Sequence, residues 1–455
     1  MESLPIKAPL DADFLPMITE LRCFARDAAP AGGPVLTLAV ERNDGLVEVQ
    51  ELQILPDGRD DPRNLLMAER MVKSMLWIYG GFRVTVAGSR LVYEGIRDQY
   101  RTGGKREFDA HFMADVYESP FEVRYVESRE HAPRRRAAPQ AIGRHLDGCR
   151  IGFDAGGSDR KVSAVVNGQS VYSEEVVWFP KTHSDPAYHY QGIVEALKIA
   201  ASHMPRVDAI GVSSAGIYVD NRTMKASLFL QVPQEAFHRE VRDIYIRAAK
   251  ELGDVPLVVC NDGDVTALAG AMSLGENGIL GIAMGTSEAG GYVDPHGNIT
   301  GWLNELAFVP CDLAVTAMRD EWSGDLGCGV KYFSQDAVIK LAPAAGIVLQ
   351  ESLSPAEKLR RVQEEMEQGN PHARKIFETI GVYLGYTLAY YSLFYDIRHV
   401  LLMGRVTSGQ GGELVLAKAQ EVLRAEFPEL SLPINLPDEK SRRVGQSVAA
   451  ASLPE

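Results

Sequence analysis

The stretch Ile151–Gly168, IGFDAGGSDRKVSAVVNG, reads as a buried strand, a glycine-rich turn and a second strand. Gly156 and Gly157 follow a strand that ends at Asp154. Glycines let a backbone approach a ligand closely, and successive N–H groups in such a turn form a nest for an anion. Ser158 adds a hydroxyl donor. A Gly-Gly hairpin also has a purely structural reading, and this one is not a P-loop, because no GxxxxGK[ST] occurs in the chain.

The pattern recurs downstream, which sharpens it. ILGIAMGTSEAGGYVD, from Ile279, is again strand, Gly-Thr-Ser turn and strand. VLLMGRVTSG, from Val400, is a strand that ends in a glycine-containing turn after a long helix. Between the first two lies VVCNDGDVTALAG, a strand ending in Asn261-Asp262 just before a short helix over Val265–Leu274. Two glycine-rich hairpins, each opening an α/β half, thus flank a strand-end carboxylate.

The rest of the 455 residues bounds the answer. The chain is 45% hydrophobic and 24% charged, ordinary for a soluble globular protein, and its length suggests roughly three domains. It has no apolar run long enough to span a membrane, and MESLPIKAPLDADF does not resemble a secretion signal. Five scattered cysteines without a CxxC pair point to a reduced, cytoplasmic protein. A net charge of -14 argues against nucleic-acid partners, and the basic run Arg134-Arg135-Arg136 reads as linker. Residues 1–130 read as a separate α+β unit without a helix-turn-helix pattern. Strands are expected at Pro34–Glu41, Leu46–Leu55, Phe82–Val86, Leu91–Tyr93 and Phe121–Val126, and a helix at Pro62–Tyr79. Beyond the linker, helices are expected at Tyr190–His203 and Gln234–Leu252, and strands at Ala209–Ser213 and Pro256–Cys260. The last part is expected to be mainly helical apart from the strand His399–Met403.

In residues 149–455 the sequence resembles the ROK family of sugar kinases and sugar-responsive repressors, members of the actin-like ATPase superfamily. DAGGSDRK resembles its first phosphate motif, with Ser158 for a threonine, and GTSEAGG resembles its second. CNDGD resembles its Asn-Asp catalytic step, and GWLNE the stretch whose glutamate contacts sugar hydroxyls. The long run from Lys375 to Gly404 looks like its long helix and adenosine-side strand.

The resemblance implies an α/β, two-lobed kinase fold of the ribonuclease H-like type, preceded here by an α+β domain. The expected division is residues 1–130, a linker at 131–148, a first lobe at 149–274 with a C-terminal helix about 441–455, and a second lobe at 275–440. It implies ATP-dependent phosphorylation of a sugar or sugar-like hydroxyl compound, with ATP and Mg²⁺ as cofactors. The two glycine-rich hairpins would hold the triphosphate through Gly156, Gly157, Ser158, Lys161, Gly285, Thr286, Ser287 and Gly404. Asp154 would help to hold Mg²⁺ through water. Asp262 would take the proton of the attacking hydroxyl. Asn261 and Glu305 would bind neighbouring hydroxyls, and a homodimer is the assembly considered.

Each role has a plainer alternative. Asp262 could cap the following helix, Glu305 could be a solvated loop carboxylate, and Lys161 a surface lysine. The departures from the family are also specific. Ser287 and Ala289 replace glycines, Glu288 adds a carboxylate beside the second phosphate loop, Asp159 adds one to the first, and Arg405 replaces a glycine. Of the family's zinc cysteines only Cys328 remains, with Phe308 where its histidine would stand, so no zinc site is expected. The alternatives to a sugar kinase are a non-catalytic ROK-like sugar-binding regulator or interaction protein, and a kinase-fold enzyme for an acyl or amide substrate.

Overall fold

The computed structural model describes residues 4–137, 142–436 and 439–455, so positions 138–141 of the expected linker lie outside it. The chain divides into two compact units. The first takes Met1–Ala138, Ile282–Gly290 and Trp302–Leu436; the second takes Pro139–Gly281, Gly291–Gly301 and Pro437–Glu455. Residues 1–130 are therefore not set apart as the sequence suggested, but share one unit with most of residues 275–440.

The second unit is built on a five-stranded sheet in the order Leu257–Asn261, Ala209–Ser214, Cys149–Ala155, Asp159–Val166, Gln169–Val177. The first three run parallel and the last three antiparallel. The hairpins arise as the sequence indicates: Asn167 and Gly168 take φ values of 48° and 80°, the left-handed pair that a tight two-residue turn requires. The helix Glu439–Ala451 lies against this sheet at its glycines: a Cβ on Gly211 would come within 1.7 Å of the Ala450 carbonyl oxygen. The core between sheet and helices is apolar, with Ile151, Phe153, Ile193, Ile210 and Tyr245 fully buried.

The first unit contains two sheets. One has the order Val47–Gln53, Val35–Glu41, Arg83–Ala87, Glu122–Val126; the other has the order Glu288–Val293, Ile279–Met284, His399–Met403, Ile434–Asn435, of which residues 279–281 and 291–293 are counted with the second unit. The helix Pro371–Tyr391 is apolar around its whole circumference and almost wholly buried from Ile376 onward, as a helix surrounded by protein must be. The N-terminal segment covers part of it. Phe14 packs edge-on to Tyr383, and the Tyr383 hydroxyl donates to Asp11 at 2.5 Å. The Ser74 and Tyr390 hydroxyls are hydrogen-bonded at 2.5 Å.

Some expected elements differ. Leu91–Tyr93 belongs to a helix, Arg90–Tyr100, because Ser89 caps it and Val92, Ile96 and Tyr100 form a buried helical stripe. Gln234–Leu252 is broken by a π-turn at Phe237–Val241. There the Arg242 carbonyl leaves the helix ladder to accept from the Thr223 N–H at 2.8 Å. Residues 302–334 hold only short 3-10 turns, not the helices expected. The helices Met17–Ala28 and Glu107–Tyr117 were not anticipated.

Candidate active site

In the second unit the structure brings together Asp154, Ser158, Lys161 and Asp262. Asp154 ends the central strand, almost buried, and accepts from the Ser213 hydroxyl at 2.8 Å. Burial pushes its carboxyl up to about 6; the Ser213 bond works against this, and the charge of Asp262 adds to the rise. Gly156 and Gly157 do not adopt left-handed backbone. Their value is closeness: a Cβ on Gly157 would lie 2.8 Å from Cε and 2.9 Å from Nζ of Lys181. Trp178 holds the turn by its carbonyls, with Nε1 donating to Gly156 O at 2.8 Å and its N–H to Ser158 O at 3.2 Å.

The rival reading of Asp262 as a helix cap does not hold. Asn261 is the cap of the helix Asp262–Leu274. Its Oδ1 accepts from the Gly263 N–H at 2.7 Å, and its Nδ2 donates to Gly216 O at 2.7 Å. Both ends of the Asn261 amide are thus engaged in structure, which weighs against its expected part in binding a hydroxyl. Asp262 is the first helical residue, and its carboxyl is pushed up by burial while first-turn N–H groups and Lys181 draw it down.

The two lysines exchange importance. Lys161 forms an ion pair with Asp159 at 3.1 Å, and the Ser158 hydroxyl donates to the same carboxylate at 3.1 Å. Lys181 is exposed on the turn Pro180–Thr182, and its charge reaches Asp262. Sequence reasoning missed Lys181, because it lies twenty-odd residues beyond the phosphate turn in an unremarkable FPKT stretch. Its only signal was the FP dipeptide that turns the chain back at the end of the third strand.

In the first unit lie Gly285, Thr286, Ser287 and Gly404. The turn closes through the Gly285 N–H donating to Ser287 O at 3.0 Å, and Thr286 and Ser287 are exposed. Gly404 has φ 97°, and a Cβ there would come within 2.3 Å of Met284 O, so only glycine fits. Arg405, which stands for a family glycine, donates from Nη2 to the Thr286 hydroxyl at 2.8 Å. A cation therefore sits on the second loop. Glu288 turns inward, 3% exposed, and burial pushes its carboxyl well up. It does not confront the loop's outer face with a charge.

Glu305 opens the 3-10 turn Leu306–Phe308. Its N–H donates to Trp77 O and that of Asn304 to Ile78 O, both at 2.9 Å. The C-terminal end of the helix Asp61–Tyr79 thus fixes the expected sugar-binding loop.

No family model and no curated protein sequence matches the chain. Solved structures do. A ROK hexokinase from Thermus thermophilus superposes with a TM-score of 0.52 at 18% identity, over 67% of this chain and 97% of that one. This chain has the ROK fold. A ROK family transcriptional regulator, a homolog of the E. coli MLC protein, superposes with a TM-score of 0.50 at 15% identity, over 68% of this chain and 79% of that one. The resemblance read from the motifs is borne out at the level of fold. Among the described residues, no helix of this ROK-fold chain is long and apolar enough to cross a membrane.

The zinc that the resemblance brings to mind does not fit these residues. Phe308 stacks on Trp77 with ring centroids 4.1 Å apart. The Cys311 thiol donates to Gly327 O at 3.3 Å, and burial pushes the Cys328 thiol up to about 12. Among the described residues, no group of three or more His, Cys, Asp or Glu side chains is arranged to hold a metal ion.

Proposed function

We propose that the chain is a divergent ROK family phosphotransferase that moves the terminal phosphoryl group of ATP to a hydroxyl of a sugar or sugar-like compound. The observation that carries this reading is the division of labour at the helix start. Asn261 supplies the cap, so the Asp262 carboxylate is spared for chemistry beside Asp154 and the Gly156–Ser158 turn. Asp262 accepts the proton of the attacking hydroxyl as the oxygen–phosphorus bond forms and the bond to the β-phosphate oxygen breaks, releasing ADP. Its raised pKa makes it a better base. Asp154 would hold Mg²⁺ through water, and the ion would supply charge neutralisation at the phosphates. Lys181 supplies a cation at the first turn, and Arg405 with Thr286 supplies one at the second.

The test is ADP release with Mg-ATP across a panel of sugars and polyols, for wild type and Asp262→Asn. Turnover by the wild type that the variant loses supports the reading. Sugar binding without nucleotide binding, both measured by calorimetry, refutes it and leaves the sugar-binding regulator, a role consistent with the ROK regulator that shares the fold.

A further inference from the structure

The first third of the chain holds an ionic cluster deep inside the first unit. Glu69, Arg70 and Lys73 on the helix Asp61–Tyr79, Arg106 and Asp109 nearby, and Asp325 from the 302–334 region are all at most 5% exposed. Three acids meet three bases, so the charges cancel. Asp325 Oδ2 is the hub: Arg70 Nη1 lies 2.8 Å away, Lys73 Nζ 2.9 Å and Arg106 Nη1 2.7 Å. Glu69 binds Arg106 at 2.6 Å and Arg70 at 2.7 Å. Asp109 accepts from Trp77 Nε1 at 2.6 Å. Burial opposes the charge on Asp325, but Arg70 and Lys73 outweigh it and hold its carboxyl below the ordinary range.

The cluster continues directly to the site loop. Trp77, whose indole is held by Asp109, stacks on Phe308, and its carbonyl accepts from the N–H of Glu305. Asp325 and Phe308 both lie in the segment where the resemblance would have put zinc ligands. Buried ion pairs add little net stability, because desolvation consumes the attraction. What such a hub does well is hold one geometry: two cations from one helix and a third, Arg106, from a separate point of the chain converge on a single carboxylate oxygen.

We infer that the N-terminal segment does in this chain the work a zinc ion would do, with Trp77 as the positioning residue that Asp109 holds against the loop carrying Glu305, Asp109 being tied to the Asp325 hub through Lys73. This rests on the proposed function for what the loop binds, but not for how the loop is held. The experiment uses the full chain and the variants Trp77→Ala and Trp77→Phe. Hydrogen exchange of the 303–309 peptide reads the loop, and calorimetry reads sugar and Mg-ATP binding separately. Trp77→Ala should speed exchange of the Asn304 and Glu305 amides by about tenfold: the carbonyls of residues 77 and 78 remain, and what is lost is the ring stack on Phe308 that keeps the loop on them. Exchange in the strand Ala209–Ser214 should not change. Sugar affinity should weaken with Mg-ATP affinity unchanged, and Trp77→Phe, which keeps a ring on Phe308 but loses the N–H that Asp109 accepts, should fall between wild type and Trp77→Ala in loop exchange and in sugar affinity. Unchanged loop exchange in Trp77→Ala overturns the inference, as does about one zinc per chain in purified wild type. If Trp77→Ala does not fold, Trp77→Phe and the metal content decide: loop exchange equal to wild type although the Asp109 bond is gone, or bound zinc, overturns it. If the wild type transfers no phosphoryl group, the exchange arm still decides how the loop is held, so the two failures are separable.

Discussion

Replacing Glu288 by glutamine tests the energetics of the second glycine-rich loop most directly. Both carboxyl oxygens of Glu288 and the Tyr391 hydroxyl are buried, and the weak approach of that hydroxyl falls short of a full hydrogen bond. Burial raises the Glu288 carboxyl, the Tyr391 hydroxyl lowers it in part, and the charge of Glu305 raises it further. The folded protein therefore keeps a proton that the unfolded chain releases near the ordinary glutamate value of ~4.3. The contribution of this group to stability is full below that pH and is lost as pH rises toward the folded pKa, at about 1.4 kcal/mol per pH unit. Glutamine has nearly the same shape and does not titrate, so Glu288→Gln removes this slope. The buried amide still lacks partners, which costs roughly 1–3 kcal/mol at any pH. The stability difference, variant minus wild type, should therefore grow in the variant's favour from pH ~5 to pH ~6, by at most about 1.4 kcal/mol. Urea unfolding at both pH values, without ligands, measures it. Parallel stability curves for the two proteins would mean that Glu288 titrates in the folded state as it does in the unfolded chain, and the reasoning fails.

Asn261→Ala should lower stability by about 1 kcal/mol, read by urea unfolding, because it removes the cap of the helix. Asp262→Asn should leave stability within about 0.5 kcal/mol yet cut turnover by ~10²–10⁴-fold; unchanged turnover would return Asp262 to a structural role at the helix start, where Asn serves as well as Asp. Lys181→Met should weaken Mg-ATP binding in calorimetry by about tenfold, in line with the loss of one charge-assisted contact, and Lys161→Met by less, since Lys161 already pairs with Asp159. Arg405→Gly restores a family-like turn but removes the cation on Thr286; weaker Mg-ATP binding is expected, and tighter binding would show that this cation does not serve the nucleotide.

The local elements that carry chemistry were legible in the linear chain because they depend on near neighbours. Alternation in Ile151–Gly168, the Asn167-Gly168 turn and the strand that ends at Asn261 are set by φ restrictions and side-chain period. The ROK fold followed from their order. Which member of a pair does which task was not legible. Asn261 rather than Asp262 caps the helix, and Lys181 rather than Lys161 is left without a carboxylate partner in an ion pair. Asp159 and Lys161 share one face of one strand and pair locally, whereas the first outcome depends on Gly216, which only the folded backbone brings within bonding distance. The inward turn of Glu288 is of the same kind: a carboxylate in a glycine-rich loop reads as solvent-facing until the chain packs Tyr391 and Gly329 around it. The first third shows the limit most clearly. Its hairpin and the Pro62–Tyr79 helix were read correctly as local structure, yet the sequence suggested a domain apart. An amphipathic element does not state what it packs against. The contacts of Arg70 with Asp325 and of Trp77 with Phe308 join residues more than two hundred positions apart, and only tertiary packing makes them.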